Sequence, residues 1–166
     1  MERGAKSGNW KTEYRTYNEV QAMKSDLSNS SAMREAVKSY SELRVYQLAF
    51  EAAMTIFELS KRWPPEEKYS LTDQIRRSSR SVCGNIAEAW RKRRYPAHFV
   101  SKLSDADTEA AETEVWLDFA LKCGYLQNAD YVKLRDNYDH ICRMLSKMMT
   151  TPESWGLNSP DGKRRA

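Results

Sequence analysis

Apolar residues recur three and four apart over about residues 40–149, the period of helices packed on one side. The first such run predicts a helix from about Ser41 to Trp63, with Ser41 as its N-cap. Pro64 and Pro65 stop it, because proline lacks an N–H and disfavours α geometry in the residue before it. Val45, Leu48, Ala49, Ala52, Ile56, Leu59 and Trp63 share one face. Leu43, Tyr46, Phe50, Met54 and Phe57 carry that face past half the circumference. An ordinary surface helix needs an apolar stripe of only about 100°. The excess width predicts that this helix is central or also meets another subunit.

The second helix is predicted from about Ser70 to Arg94, with Leu71, Ile75, Val82, Ile86 and Ala89 on its core face. Ser78, Ser79, Cys83, Gly84 and Ala87 lie beside that face, and small residues let a neighbouring helix approach closely. Gly84 costs about 1 kcal/mol relative to Ala inside a helix, so close packing is the expected reason for it. Pro96 suits the first turn of a third helix, about Ala97 to Cys123, whose core stripe is Phe99, Leu103, Ala106, Ala110, Thr113, Leu117 and Leu121. Gly124 is placed to terminate it. A fourth helix runs from about Asn128 to Met149, with Tyr131, Leu134, Tyr138, Ile141, Cys142, Leu145 and Met149 inward. Long helices joined by short linkers favour antiparallel neighbours, so the expected fold is an all-α, up-down-up-down four-helix bundle over 36–149.

The two ends differ from this middle. Residues 1–35 read as a mobile or partly helical extension, in which Trp10, Tyr14, Tyr17, Val20, Met23 and Leu27 line one side of a loose pattern. Residues 150–166, with Pro152, Gly156, Pro160 and Gly162, read as a disordered tail.

Composition agrees with helices. Only 6 Gly and 5 Pro occur among 166 residues, few for a turn-rich all-β chain. A mean hydropathy of −0.79 and the lack of a long apolar run exclude a membrane span. No apolar signal segment opens the chain, and 3 Cys do not make a disulfide framework, so a cytoplasmic protein is expected.

Signals for catalysis are sparse. His98 and His140 lie on different helices, Cys83, Cys123 and Cys142 are far apart, and neither histidine has Glu three residues before it. A ferritin-like di-iron site needs that Glu-x-x-His spacing on two helices. No phosphate-cradling glycine loop or HExxH motif occurs. The reading is of a protein that is not an enzyme, with no catalytic residue, metal or cofactor.

Charge is the informative feature. The chain carries 27 Lys+Arg and 23 Asp+Glu, net +4, but residues 71–100 hold seven basic and two acidic residues while 101–125 hold two and six. At 100° per residue, Arg76, Arg80, Arg91 and Arg94 fall within about 60° of one another. Arg77 lies beside them, Lys92 further round, and Arg93 completes a run at the helix C-terminus, where the helix dipole favours cations. Three readings of the stripe stay open: a solvated face, salt bridges to the third helix, or contact with nucleic-acid phosphates without base specificity.

Gln74, Ser81, Asn85 and Glu88 form a polar flank on the other side of the core stripe, placed to hydrogen-bond an adjacent helix or, alternatively, to line a ligand pocket. The third helix carries Asp105, Glu109 and Glu112 with Trp116 on one side, and Asp107, Glu114 and Asp118 on the other. These acids pair with arginines either inside the bundle or on a neighbouring subunit. The second case gives a head-to-tail contact that closes into a ring.

The stretch Leu71-Thr72-Asp73-Gln74-Ile75-Arg76-Arg77-Ser78, with Ser81-Val82 and Asn85-Ile86-Ala87-Glu88-Ala89, resembles the bacterial four helix bundle protein family. That family includes proteins encoded in intervening sequences of large-subunit ribosomal RNA genes. It is related to the accessory variability determinant of diversity-generating retroelements. Leu43-Arg44-Val45-Tyr46-Gln47, Trp63-Pro64 with Glu67 and Tyr69, Glu112-Thr113 with Trp116-Leu117, and Gly124-Tyr125-Leu126 support the match over about 36–149. Ala89 departs from the family's usual Gly, and residues 1–32 have no counterpart, being either an arm or an upstream start before Met33.

The resemblance implies an antiparallel four-helix bundle, often a ring-shaped homo-pentamer. It also implies a basic surface that binds RNA or DNA, in some relatives together with a reverse transcriptase. Carried onto this chain, the implied contacts are Arg76, Arg77, Arg80, Arg91, Lys92, Arg93 and Arg94. The alternative is an assembly module whose basic and acidic helices pair across subunits, with no nucleic-acid role.

Overall fold

A computed structural model of the chain describes residues 37–156, so the expectations for 1–36 and 157–166 lie outside the described residues. Among the described residues there are four α-helices and no strand: α1 (Arg44–Ser60), α2 (Leu71–Lys92), α3 (Pro96–Lys122) and α4 (Asn128–Thr150). Each helix packs on its neighbours in sequence, and α4 returns to α1 to close the ring of contacts, while the diagonal pairs barely touch. This is the expected four-helix bundle.

The buried seam keeps a heptad rhythm. Leu103, Ala106, Ala110, Thr113, Leu117 and Ala120 line α3, and Leu134, Tyr138, Ile141, Leu145 and Met148 line α4. Their alternating steps of three and four are those of helices packed knobs-into-holes. The expected stripes drift off this seam at their C-terminal ends: Leu121 and Met149 are only half-buried, and Ala120 and Met148 take the core positions. A straight helix repeats every 3.6 residues, whereas a packed seam repeats every 3.5, so the error accumulates with length.

Helix ends follow local chemistry. The segment Tyr40–Glu42 is a separate 3₁₀ turn, capped by the Ser39 hydroxyl at 3.3 Å from the Ser41 amide. Ser41 therefore does not cap α1, which starts after Leu43. The first helix also ends three residues before Trp63. With Pro64 next, Trp63 leaves α geometry and turns inward, 8% exposed, against Tyr125 at 6.2 Å between ring centroids.

Ser70 makes no side-chain cap on α2. Glu67 substitutes, accepting from the Leu71 amide at 3.4 Å, from the Ser70 hydroxyl, and from the Tyr125 hydroxyl at 3.2 Å. These bonds, led by the one from Ser70, lower the Glu67 pKa. A carboxylate there also suits the positive end of the helix dipole.

Gly124 ends α3 as expected, at φ +76°, a conformation that glycine adopts without steric cost. The Tyr125 amide donates to Ala120 at 2.9 Å and the Gly124 amide to Leu121 at 3.0 Å, the paired bonds of a Schellman motif. Helix α4 reaches Thr150, and Pro152–Trp155 forms a 3₁₀ turn against α3 and α4 with Trp155 on the core. The expected tail thus starts too early at 150, because Trp155 has apolar surface to bury.

Candidate functional site

The two flanks of α2 are engaged by different helices. On the α1 side, Arg76 is half-buried and donates from Nε to Ser60 Oγ at 2.8 Å. Its guanidinium carbon lies 5.0 Å from the Phe57 ring centroid, and that of Arg80 lies 5.6 Å away. Lys61 approaches the same ring at 4.6 Å. Phe57 is thus a platform for three cations, which uses part of the excess apolar width of α1. Desolvation, then the Arg80 charge, lowers the Arg76 pKa.

On the α3 side, Arg77 donates to Gln74 Oε1 at 2.8 Å and pairs with Glu112 at 3.5 Å. Glu112 also accepts from Trp116 Nε1 at 3.0 Å. Lys102 of α3 reaches back to Glu88 at 2.9 Å and Asn85 at 3.3 Å, and pairs with Asp105 on its own helix at 3.1 Å. The bond to Glu88, then that to Asp105, raises the Lys102 pKa. Of the polar flank, Gln74, Asn85 and Glu88 are therefore engaged in this network. Ser81 lines a surface groove of about 540 Å³ with Asp73, Arg76, Arg77 and Arg80.

The C-terminal run divides further. Arg93 lies over the Trp90 ring at 3.9 Å and donates to the Trp90 carbonyl at 2.6 Å, which holds it against the bundle. Arg91, Lys92 and Arg94 are exposed. Lys92 borders a second pocket, of about 310 Å³, with Ala97, His98, Ser101 and Lys102. Among the described residues no carboxylate pairs with Arg80, Arg91, Lys92 or Arg94.

Four of the six acids of α3 are engaged inside the bundle, whereas Glu109 Oε2 is buried without a hydrogen-bond partner and Asp107 forms no ion pair among the described residues. Besides Glu112 and Asp105, Glu114 meets Arg135 at 3.3 Å and Asp118 accepts from the Tyr131 hydroxyl at 2.8 Å. The intramolecular pairs thus consume acids on α3 while leaving cations on the outward face of α2.

Gly84 corrects the packing expectation. It is exposed, and a Cβ added there meets nothing within 4 Å. The small residue shown against α3 is Ser78, fully buried and 2.9 Å from Thr113 Oγ1.

Reasoning from sequence alone missed Phe57, Ser60 and Lys102 as partners of the charged stripe. Phe57 and Ser60 lie 16 or more residues before Arg76 and Arg80 in sequence, so only the packing of α1 on α2 brings them together. Among the described residues no cluster of three or more His, Cys, Asp or Glu is arranged to hold a metal ion. No helix there is long and apolar enough to cross a membrane.

The model of the 23S rRNA-intervening sequence protein family matches residues 41–147, well over half of the chain. The chain belongs to this family. Among solved structures it is similar to a protein of unknown function from the S23 ribosomal protein family of Bacteroides thetaiotaomicron. The two are 31% identical, with a TM-score of 0.58, over 64% of this chain and 96% of that one. No curated protein matches. The matched span covers α1, α2, α3 and most of α4, so the charged face of α2 lies wholly within the family's shared part.

Proposed function

We propose that this family member is a non-enzymatic nucleic-acid-binding bundle that grips the phosphate backbone of RNA or DNA along the outward face of α2. The observation that carries this reading is the set Arg80, Arg91, Lys92 and Arg94, exposed and without carboxylate partners among the described residues. Arg76, Arg77 and Arg93 are held by the bundle and set the field around them. Three of these cations stand on α2, which ends at Lys92 rather than at the expected Arg94, and Arg94 lies in the turn just beyond. Cations without acidic partners suit phosphates, whose counterions are released on binding.

The test is fluorescence anisotropy with labelled RNA and DNA oligonucleotides. Binding should weaken steeply with salt, and reversing Arg80, Arg91 and Arg94 to Glu should weaken it by at least about tenfold while the helical circular dichroism persists. Unchanged affinity in that variant sinks the reading.

A second reading is assembly of copies of this chain, supported by a different face. Val115 and Phe119 are 49% and 53% exposed on α3, beside half-buried Trp116. Clustered exposed apolar groups mark interaction surfaces. Light scattering separates the two readings. Loss of the oligomer when Val115 and Phe119 are replaced by Ser, with no nucleic-acid binding by the wild type, favours assembly alone.

A further inference from the structure

Asp73 is exposed on the basic face of α2 and belongs to no ion pair among the described residues. Three residues in from Ser70, it holds the position from which an acid closes a capping box. It has no such duty here. The Ser70 amide donates to the Glu67 carbonyl at 3.2 Å, and the Glu67 carboxylate takes the Leu71 amide. Arg76 and Arg77 follow Asp73 at three and four residues, the spacings at which an acid and an arginine meet on a helix. Both are drawn away. Arg76 turns to Ser60 and Phe57 on α1, and Arg77 to Gln74 and to Glu112 on α3.

Asp73 instead lines the groove of about 540 Å³, with Arg76, Arg77, Arg80 and Ser81. At 100° per residue, Asp73 and Arg80 stand about 20° apart on the helix, with Arg76 and Arg77 to either side. Arg80 lies seven residues on, roughly 10 Å at 1.5 Å per residue. One strand advances about 3.4 Å per nucleotide, so roughly three nucleotides lie along that line. The groove thus sets one acceptor-only carboxylate among cations, two of which the bundle holds in place. That carboxylate repels phosphate. A ligand that fills the whole groove must bring a hydrogen-bond donor to Asp73 beside its own phosphates. The backbone of RNA does this at every nucleotide through the ribose 2′-hydroxyl, and the backbone of DNA does not.

Resting on the nucleic-acid reading, we propose that this groove is a ribose–phosphate site that selects RNA over DNA. Arg80, flanked by Arg76 and Arg77, takes the phosphates, and Asp73 accepts a hydrogen bond from a 2′-hydroxyl. Arg91, Lys92 and Arg94, further along, add affinity for either nucleic acid and no preference between them.

The experiment uses the full chain and anisotropy at fixed salt with three fluorescein-labelled 20-nucleotide probes: oligouridine, oligodeoxyuridine and 2′-O-methyl oligouridine. All three carry the same base, and the last keeps a 2′-oxygen without its proton. The wild type should bind oligouridine about tenfold more tightly than either other probe, the scale of one hydrogen bond to a charged acceptor. Asp73→Ala should bring the three affinities within about twofold of one another, largely by tightening the two probes that lack the hydroxyl. Asp73→Asn keeps an acceptor oxygen and should retain part of the preference. Equal affinities in the wild type overturn the ribose site, as does a preference that survives Asp73→Ala or that the 2′-O-methyl probe shares. In each of those cases, weaker binding on reversal of Arg80, Arg91 and Arg94 leaves the nucleic-acid reading intact. The probe comparison on the wild type stands whether or not a variant folds. A wild type that binds none of the probes overturns the nucleic-acid reading and the ribose site with it.

Discussion

Arg76 donates from Nε to the hydroxyl of Ser60 at 2.8 Å, tying the basic helix α2 to α1. The same guanidinium packs over Phe57. Arg76 therefore serves the fold, while Arg80, one turn on, faces outward. Arg76→Ala should destabilise the bundle by about 1 to 2 kcal/mol, the scale of a hydrogen bond from a charged donor discounted for partial exposure. Arg80→Ala should stay within about 0.5 kcal/mol, as surface changes usually do. Urea unfolding of the two variants checks the split, and equal losses would contradict it.

A polar layer crosses the core where the seam of α2 meets α3. Ser78 Oγ and Thr113 Oγ1 are both buried and hydrogen-bonded at 2.9 Å, and Thr113 also bonds the Glu109 carbonyl at 2.8 Å. Thr113→Val should cost about 1 to 3 kcal/mol by leaving Ser78 poorly satisfied, and Ser78→Ala about 1 kcal/mol. The double variant should cost less than the sum, with a coupling of about 0.5 to 1.5 kcal/mol in a double-mutant cycle.

The Tyr138 hydroxyl, fully buried, faces Thr113 without a hydrogen bond of ordinary geometry. Removing an unsatisfied buried polar group is neutral or favourable, so Tyr138→Phe should hold or raise stability by up to about 1 kcal/mol. A clear loss in thermal unfolding would mean that the hydroxyl is satisfied.

Gly84→Ala should stabilise the isolated chain by about 0.5 to 1 kcal/mol, since the site is helical, exposed and open to a Cβ. Differential scanning calorimetry of the variant measures this directly. A destabilised variant would place a neighbour over Gly84 in solution.

Two pH limbs follow from burial and hydrogen bonding. Desolvation pushes the Cys83 and Cys142 thiols up to about 12 from an ordinary 9. The unfolded chain ionises first, so it binds fewer protons above pH 9. Stability is then whole below 9 and declines as pH rises toward 12. Glu67 has the opposite sign: its lowered pKa gives stability above the ordinary 4.5 that is lost as pH falls through the folded value. Glu67→Gln should flatten the acid limb alone. At pH 8 a thiol reagent should modify exposed Cys123 first and reach Cys83 only on unfolding, as mass spectrometry of timed samples would show.

Sequence by itself determined the four helices, their antiparallel order and most of the core. Periodicity is a local property, and Pro64, Pro96 and Gly124 act on the backbone where they stand. It also located the charge segregation, because each helix carries its own share. Only the tertiary structure decided which cations are spent. Arg76 is held by Ser60 and Phe57 from α1, and Arg77 by Glu112 from α3, whereas Arg80 has only the Phe57 ring beside it and Arg91 and Arg94 find no such partner among the described residues. The wheel places Arg76, Arg80 and Arg94 side by side, but it carries no information about what stands across the groove. The same limit governs Gly84, whose neighbour expected from the sequence is absent in the bundle, and residue 156, whose place beside Arg93 depends on how α4 returns along α3. Those relationships join residues far apart in the chain, so they exist only once the helices have packed.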